Sequence, residues 1–231
     1  MKHNIKHLAI IMDGNDRWAK SNNLTKAEGH RYGTELIKKL TPEIAQLDIS
    51  YLTLYAFSSE NWQRPKEEVS FLMGLLDRYL ENDIQFLHQN QIRLKIIGNL
   101  QKLDQKLQSK IHTTVESTKN NSKMTLCIAF SYGGREEIIQ ACQKIIDSGE
   151  KHVSETIFRQ YLYDPEMPDV DLFIRPGGVY RTSNYLLWQS PYAELYFTKK
   201  FWPDFTIDDI KKAIEDYSTR KRTFGTRPDS E

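Results

Sequence analysis

Neither sign of charge is in excess. The chain sets 32 lysines and arginines against 31 aspartates and glutamates, a formal charge of +1. A protein that coats nucleic acid carries a strong basic surplus, so that class is excluded and only a local basic pocket stays open. Cysteine is scarce too. Cys127 sits in an apolar run and Cys142 in a helical pattern. Two thiols so placed fit no metal spacing, and both read as reduced core thiols. No apolar run exceeds about six residues, against the ~20 that a membrane helix needs. Residues 1–7, MKHNIKH, hold no apolar signal core. These absences predict a cytoplasmic protein that at most touches a membrane. No Gly/Ser linker, repeat or low-complexity block divides the chain, so one domain over residues 1–231 is expected.

What is present is alternation. Apolar segments rich in Ile, Leu, Val, Tyr and Phe predict strands at Leu8–Met12, Tyr51–Phe57, Ile92–Ile97, Met124–Phe130, Val170–Ile174 and Leu195–Phe197. Several are too continuously apolar for one face to meet water, which suits a mainly parallel sheet covered on both sides. Amphipathic patterns between them predict helices near 28–47, 66–89, 100–119, 134–148, 154–162 and 206–221. The second carries a broad stripe from Val69 through Leu72, Leu75, Leu76 and Tyr79 to Leu87. Such a stripe covers a core or lines an apolar tunnel. The expected fold is a single α/β domain of about six strands flanked by helices.

In such folds ligands gather at the C-terminal ends of strands. Here those ends are polar. Strand one runs into Asp13, Gly14, Asn15, Asp16, Arg17 and Trp18; strand two into FSSENWQR; strand four into SYGGR; strand five into RPGGVYRTSN. Arg17, Arg64, Arg135, Arg175 and Arg181 present planar donor forks suited to phosphate oxygens. The bland alternative for each is a solvated surface group. Gly14, Gly177 and Gly178 let backbone N–H groups approach an anion. A polyanion usually brings magnesium, which takes one or two carboxylates together with phosphate oxygens and water. Asp13 is the first candidate ligand, its alternative a helix cap or turn. Glu194, inside the apolar YAELYF, is the second, its alternative an ion pair with a neighbouring arginine. His30 would donate to a phosphate or lie on a helix surface. No GxSxG, HExxH or P-loop lysine is present, so no hydrolytic set emerges.

Five blocks, HLAIIMDGNDRWAK, GHRYG, LTLYAFSSENWQRP, RPGGVYRTSNYLLWQSPYAELYF and WPDF, resemble the cis-prenyltransferase family, in the bacterial branch that makes undecaprenyl diphosphate. The likeness runs from about residue 6 to 225, with the blocks in the family's order. It implies a homodimeric, Mg²⁺-dependent enzyme that condenses isopentenyl diphosphate repeatedly, with Z geometry, onto an allylic diphosphate such as farnesyl diphosphate. The long product would be the cell-wall lipid carrier, and its release would bring transient contact with the inner membrane surface. Position by position, Asp13 and Asn61 correspond to catalytic residues, and Asp13 with Glu194 to the metal ligands. Gly14, Asn15, Asp16, Arg17, Trp18, Lys26 and His30 fall in the allylic diphosphate block. Ser58, Ser59, Glu60, Trp62 and Arg64 fall in the loop that positions both substrates, and Arg175, Arg181, Thr182 and Ser183 in the isopentenyl diphosphate block. The small Ala56 corresponds to a position that is compatible with a long product.

Some positions depart from the family pattern. Asp16 stands where glycine is common, Lys26 where arginine is usual, Val179 where an acid is frequent, and Tyr180 where histidine is frequent; Pro176 is unusual. The alternatives are a short-chain cis-prenyltransferase, a non-catalytic binding subunit, and a phosphate-binding domain without prenyl chemistry. The basic stretch Arg220–Pro228 reads either as an arm to a partner's site or as a solvated end.

Overall fold

A computed structural model describes residues 3–224. Six strands form one sheet: β1 (His7–Ile11), β2 (Tyr51–Ser58), β3 (Ile92–Ile97), β4 (Met124–Tyr132), β5 (Leu172–Arg175) and β6 (Glu194–Phe197). The order is β3-β4-β2-β1-β5-β6, and every pairing is parallel. Parallel strands need long crossovers, and helices supply most of them. These are α1 (Asn15–Ser21), α2 (Lys26–Ala45), α3 (Lys66–Asn82), α4 (Ile84–Gln89), α5 (Gln105–Thr118), α6 (Gly134–Ser148), α7 (Glu155–Arg159) and α8 (Ile207–Thr219).

Period-two alternation divides the core. Leu8, Ile10, Leu52, Leu54, Leu126 and Ile128 face one side and join apolar residues of α2, α3, α5 and α8. Ala9, Ile11, Tyr51, Tyr55, Cys127 and Ala129 face the other, beneath Met167, Val170, Tyr185 and Leu186. Both faces are covered, as the continuous apolar strands require. Of the two expected core thiols only Cys127 is buried; Cys142 lies on the solvent side of α6 and is exposed. Among the described residues, no helix is long and apolar enough to cross a membrane.

Most boundaries shift by a few residues from the periodic reading, β5 among them, which ends at Arg175 rather than Ile174; three shifts have a clear local reason. The Thr25 hydroxyl accepts from the Glu28 N–H, and the Glu28 carboxylate accepts from the Thr25 N–H, so a capping box starts α2 at Lys26. The Asp104 carboxylate accepts from the Leu107 N–H at 2.9 Å and sets the start of α5. The long 66–89 pattern is two helices, because Asp83 leaves helical geometry at φ −110° and ψ 6°. Its carboxylate takes the Lys38 ammonium at 2.5 Å. The short α1 is not announced by period at all, since apolar residues in it are few.

Candidate active site

The site is assembled at the C-terminal edge of the sheet, starting from the turn after β1. Gly14 adopts φ 100° and caps α1 without a side-chain bond. A Cβ there would lie 2.6 Å from the Phe201 ring, so glycine is required on both counts. The turn leaves the Asp13 side chain free of capping duty. Its Oδ2 accepts from Arg175 Nη2 at 2.9 Å and Nε at 3.3 Å. Its Oδ1 accepts from Arg17 Nη2 at 3.2 Å. Arg17 also donates to the Gly177 carbonyl at 2.5 Å and lies over the Phe201 ring.

Arg175, the last residue of β5, is 5% exposed. A guanidinium so buried needs partners on every donor face. Besides Asp13 it finds the Ser183 hydroxyl at 2.6 Å and the Arg181 carbonyl at 2.5 Å. The loop that returns to it is bent: Ser183 and Asn184 hold φ 51° and 63°, conformations that non-glycine residues adopt at some strain. Asn184 ties this loop to the strand-two loop by donating to Glu60 at 2.9 Å. Burial would raise the Glu60 pKa, but hydrogen bonds from Asn184, its own backbone, Ser58 and Ser59 outweigh it and hold the carboxyl below its usual range.

In the strand-two loop, the Asn61 side-chain oxygen Oδ1 accepts from the Ser58 N–H at 3.0 Å. Trp62 packs on Phe57 and donates to the Ser131 hydroxyl at 3.0 Å, which fixes the loop to β4. Arg64 reaches Glu68 at 2.9 Å. On the allylic-block side, His30 Nε2 stands 3.2 Å from Asp16 Oδ1, and Lys26 holds the other Asp16 oxygen at 3.3 Å. Burial pushes the His30 pKa down; Asp16 opposes that and Arg64 reinforces it.

These groups surround one cavity of about 650 Å³. Its polar wall includes Asp13, Asn15, His30, Ser58, Glu60, Asn61, Arg64, Arg175, Arg181 and Ser183. Its deeper wall is apolar, made by Ile37, Ala56, Leu72, Leu75, Leu76, Tyr79, Ile128 and Phe130. The stripe of α3 thus both packs on the sheet and lines the cavity.

The other sequence candidates lie outside this lining. Gly14, Arg17, Ser59, Trp62 and Thr182 belong to the turns and loops that carry the lining residues. Trp18 turns outward and donates to Asp204 at 2.7 Å, and Lys26 is largely in solvent. Arg135 opens α6 on the surface. Glu194 begins β6, three residues before the row of Arg175, about 10 Å along the strand direction at usual strand rise. Its carboxylate pairs with Arg220 at 2.9 Å, so within one chain it is not brought to Asp13. Arg222 likewise folds back, onto Asp171 at 2.9 Å; residues 225–228 of the basic stretch lie outside the described residues.

Sequence reasoning missed Asn184, whose role as a tie between two loops leaves no signal beyond its place in RPGGVYRTSN. It also missed why WPDF stands where it does. The Trp202 backbone N–H donates to the Asp13 carbonyl at 3.0 Å, and its indole donates to the Gly33 carbonyl at 2.8 Å. Together these bonds pin the Asp13 turn against α2.

Arginines converging on an acid at the mouth of an apolar cavity can hold two anionic heads and one hydrophobic tail. Comparison with known proteins agrees with that. The family model described as "Putative undecaprenyl diphosphate synthase" matches residues 11–225. The isoprenyl transferase of Rickettsia felis is 62% identical over 224 residues, 97% of this chain and 95% of that protein. That of Thermotoga maritima is 48% identical over 224 residues, 95% of this chain and 96% of that protein. Among solved structures, lavandulyl diphosphate synthase from Lavandula x intermedia, in complex with dimethylallyl diphosphate, superposes with a TM-score of 0.91 at 37% identity, covering 96% of this chain and 98% of that one. A probable undecaprenyl diphosphate synthase from Campylobacter jejuni gives 0.83 at 38% identity, covering 97% and 100%.

Proposed function

The chain belongs to the undecaprenyl diphosphate synthase family of prenyltransferases, and from that premise we propose that it condenses isopentenyl diphosphate onto farnesyl diphosphate, in repeated Z-selective steps, to give undecaprenyl diphosphate. The observation that carries this reading is the Asp13–Arg175–Arg17 cluster at the mouth of a cavity whose far wall is apolar.

The donor set around Asp13 suits Mg²⁺, a hard ion that takes a single carboxylate when substrate phosphates complete its shell. Asp13 would hold it, and the ion would stabilise charge on diphosphate oxygens. The rest falls to this chain's side chains. Arg175, Arg181 and Ser183 bind the isopentenyl diphosphate head; the Gly14–Asn15 turn and His30 face the allylic one. The hydrocarbon tail enters the apolar wall, where its burial is favourable by about 0.8 kcal/mol per CH₂. As the allylic C–O bond breaks, its electron pair leaves with diphosphate. The isopentenyl double bond supplies the pair for the new C–C bond, and a proton is lost to solvent or to a diphosphate oxygen. Asn61 is an amide and a poor base; with its oxygen committed to the Ser58 N–H, it orients the substrate through its NH₂. Alignment of both substrates in one cavity supplies much of the rate.

Homodimer formation and a cytoplasmic location with passing membrane contact belong to the same reading. Among the described residues no strand pairs with the outer edge of β6, and Tyr192 and Leu195 beside it are exposed, which favours a partner there. The test is turnover by the purified chain with farnesyl and radiolabelled isopentenyl diphosphates. Labelled long-chain product with Mg²⁺ and none with chelator is expected; no labelled product under either condition overturns the proposal. In the same assay Ala56→Leu, which puts bulk on the apolar wall, shortens the product on thin-layer chromatography. An unchanged length removes Ala56 from the path of the chain.

A further inference from the structure

Three helices aim ligand-type side chains at one point on the cavity rim. Asp16 comes from α1, His30 from α2 and Glu68 from the first turn of α3, and one ligand atom of each lies within 4.8 Å of the others. Two of these atoms, Asp16 Oδ1 and His30 Nε2, are shielded from solvent and, among the described residues, meet no partner in good hydrogen-bond geometry. They stand 3.2 Å apart. At that separation an Nε2–H serves Asp16 Oδ1 only in poor geometry, whereas a cation between the two atoms engages a lone pair of each.

The spacing fits a metal ion. A divalent transition ion binds imidazole nitrogen and carboxylate oxygen at about 2.0–2.2 Å. Neighbouring ligands then sit roughly 3.0 Å apart at a right angle and roughly 3.4 Å apart at the tetrahedral angle. The observed 3.2 Å falls between them. Glu68 must close in by about an ångström, within reach of one rotamer adjustment. Each carboxylate has kept an oxygen for the purpose. Lys26 holds Asp16 Oδ2 and leaves Oδ1; Arg64 holds Glu68 Oε1 and leaves Oε2. Burial favours neutral His30, the form that coordinates a metal.

We propose that Asp16, His30 and Glu68 form a binding site for a divalent transition metal such as Zn²⁺, separate from the magnesium position at Asp13. One imidazole with two carboxylates selects the borderline ions over Mg²⁺, which prefers oxygen alone. Three protein ligands leave at least one coordination position open, and His30 itself lines the cavity, so that position faces the anion pocket. The site requires no assumption about the reaction.

The experiment is a Co²⁺ titration of chelator-stripped, untagged protein in the absence of substrate, followed in the visible spectrum, with Zn²⁺ as competitor. One equivalent of Co²⁺ with the weak visible bands of nitrogen and oxygen ligation, displaced by Zn²⁺, is expected. His30→Gln and Glu68→Gln each weaken binding by ~10-fold or more, and Asp13→Asn leaves it unchanged. Four results overturn the proposal: no stoichiometric binding below millimolar Co²⁺, full binding in His30→Gln, loss of binding in Asp13→Asn, or an intense sulfur-to-cobalt band, which would assign the ion to a cysteine. Because the readout is spectroscopic, it decides the metal site even for a chain that fails the prenyl-transfer assay.

Discussion

The two edges of the sheet carry similar residue types and use them in opposite ways. At the C-terminal edge, Asp13 is a quarter exposed and shares its oxygens between two arginines beside an open cavity. At the N-terminal edge, His7 and Tyr51 face each other as the first residues of β1 and β2, and the buried polar groups are paired with one another. His7 Nδ1 donates to the Pro168 carbonyl at 2.8 Å, and Nε2 accepts from the Thr53 hydroxyl at 2.7 Å. The Tyr51 hydroxyl donates to buried Asp164, whose other oxygen takes the Lys95 ammonium at 2.7 Å. One edge keeps charges available to a ligand; the other uses them up on each other. Ionisable residues therefore do not mark a site by themselves. Their accessibility, and the side of the sheet on which the strands end, decide it.

The same substitution at the two edges should break this comparison or confirm it. Asp13→Asn should lower turnover by about 10³-fold, while unfolding free energy changes by at most about 1–2 kcal/mol, since cavity water can solvate what Arg175 loses. Asp164→Asn should do the reverse. It breaks a buried pair and should destabilise by about 3–5 kcal/mol, with kcat preserved in the fraction that stays folded. Urea unfolding and steady-state kinetics on both variants measure this. A large stability loss at Asp13, or a large rate loss at Asp164, would erase the distinction.

A smaller effect sharpens it. Burial lowers the His7 pKa from 6.5 to about 4, against the raising influence of the Pro168 hydrogen bond and nearby aspartates. Between those values the unfolded chain holds a proton on this residue that the folded chain does not. Stability contributed by neutral His7 is therefore fully present above about pH 6.5 and is lost as pH falls toward 4, by up to about 3 kcal/mol. Urea midpoints between pH 7 and 4.5 should drop less in His7→Gln than in the parent chain; parallel curves would mean that His7 titrates normally.

Much of this was legible beforehand, and the reason is periodicity. Six apolar segments announced six strands, and the rule about strand ends pointed to Asp13, Asn61, Arg64, Arg175, Arg181 and Ser183, all of which line the same cavity. Less legible was anything that depends on which way a side chain turns. Trp18 lies in the same block as Asp13, yet the helical step of α1 sends it to Asp204. Glu194 lies in the apolar run YAELYF, yet as the first rather than the last residue of β6 it meets Arg220. The His7 network left no local trace, because Asp164 comes from 157 positions further along (His7 to Asp164).

The sequence alone determined the elements and their class, because backbone periodicity and strand-end polarity are local properties that short segments express wherever they fold. It also carried the family likeness, because those blocks are contiguous. Only the tertiary structure decided which acid meets which arginine, that Asn184 clamps two loops, and that Asp16, His30 and Glu68 converge from three helices. Those contacts join residues far apart in the chain, and their geometry is set by the packing of whole helices on the sheet, which no short segment encodes.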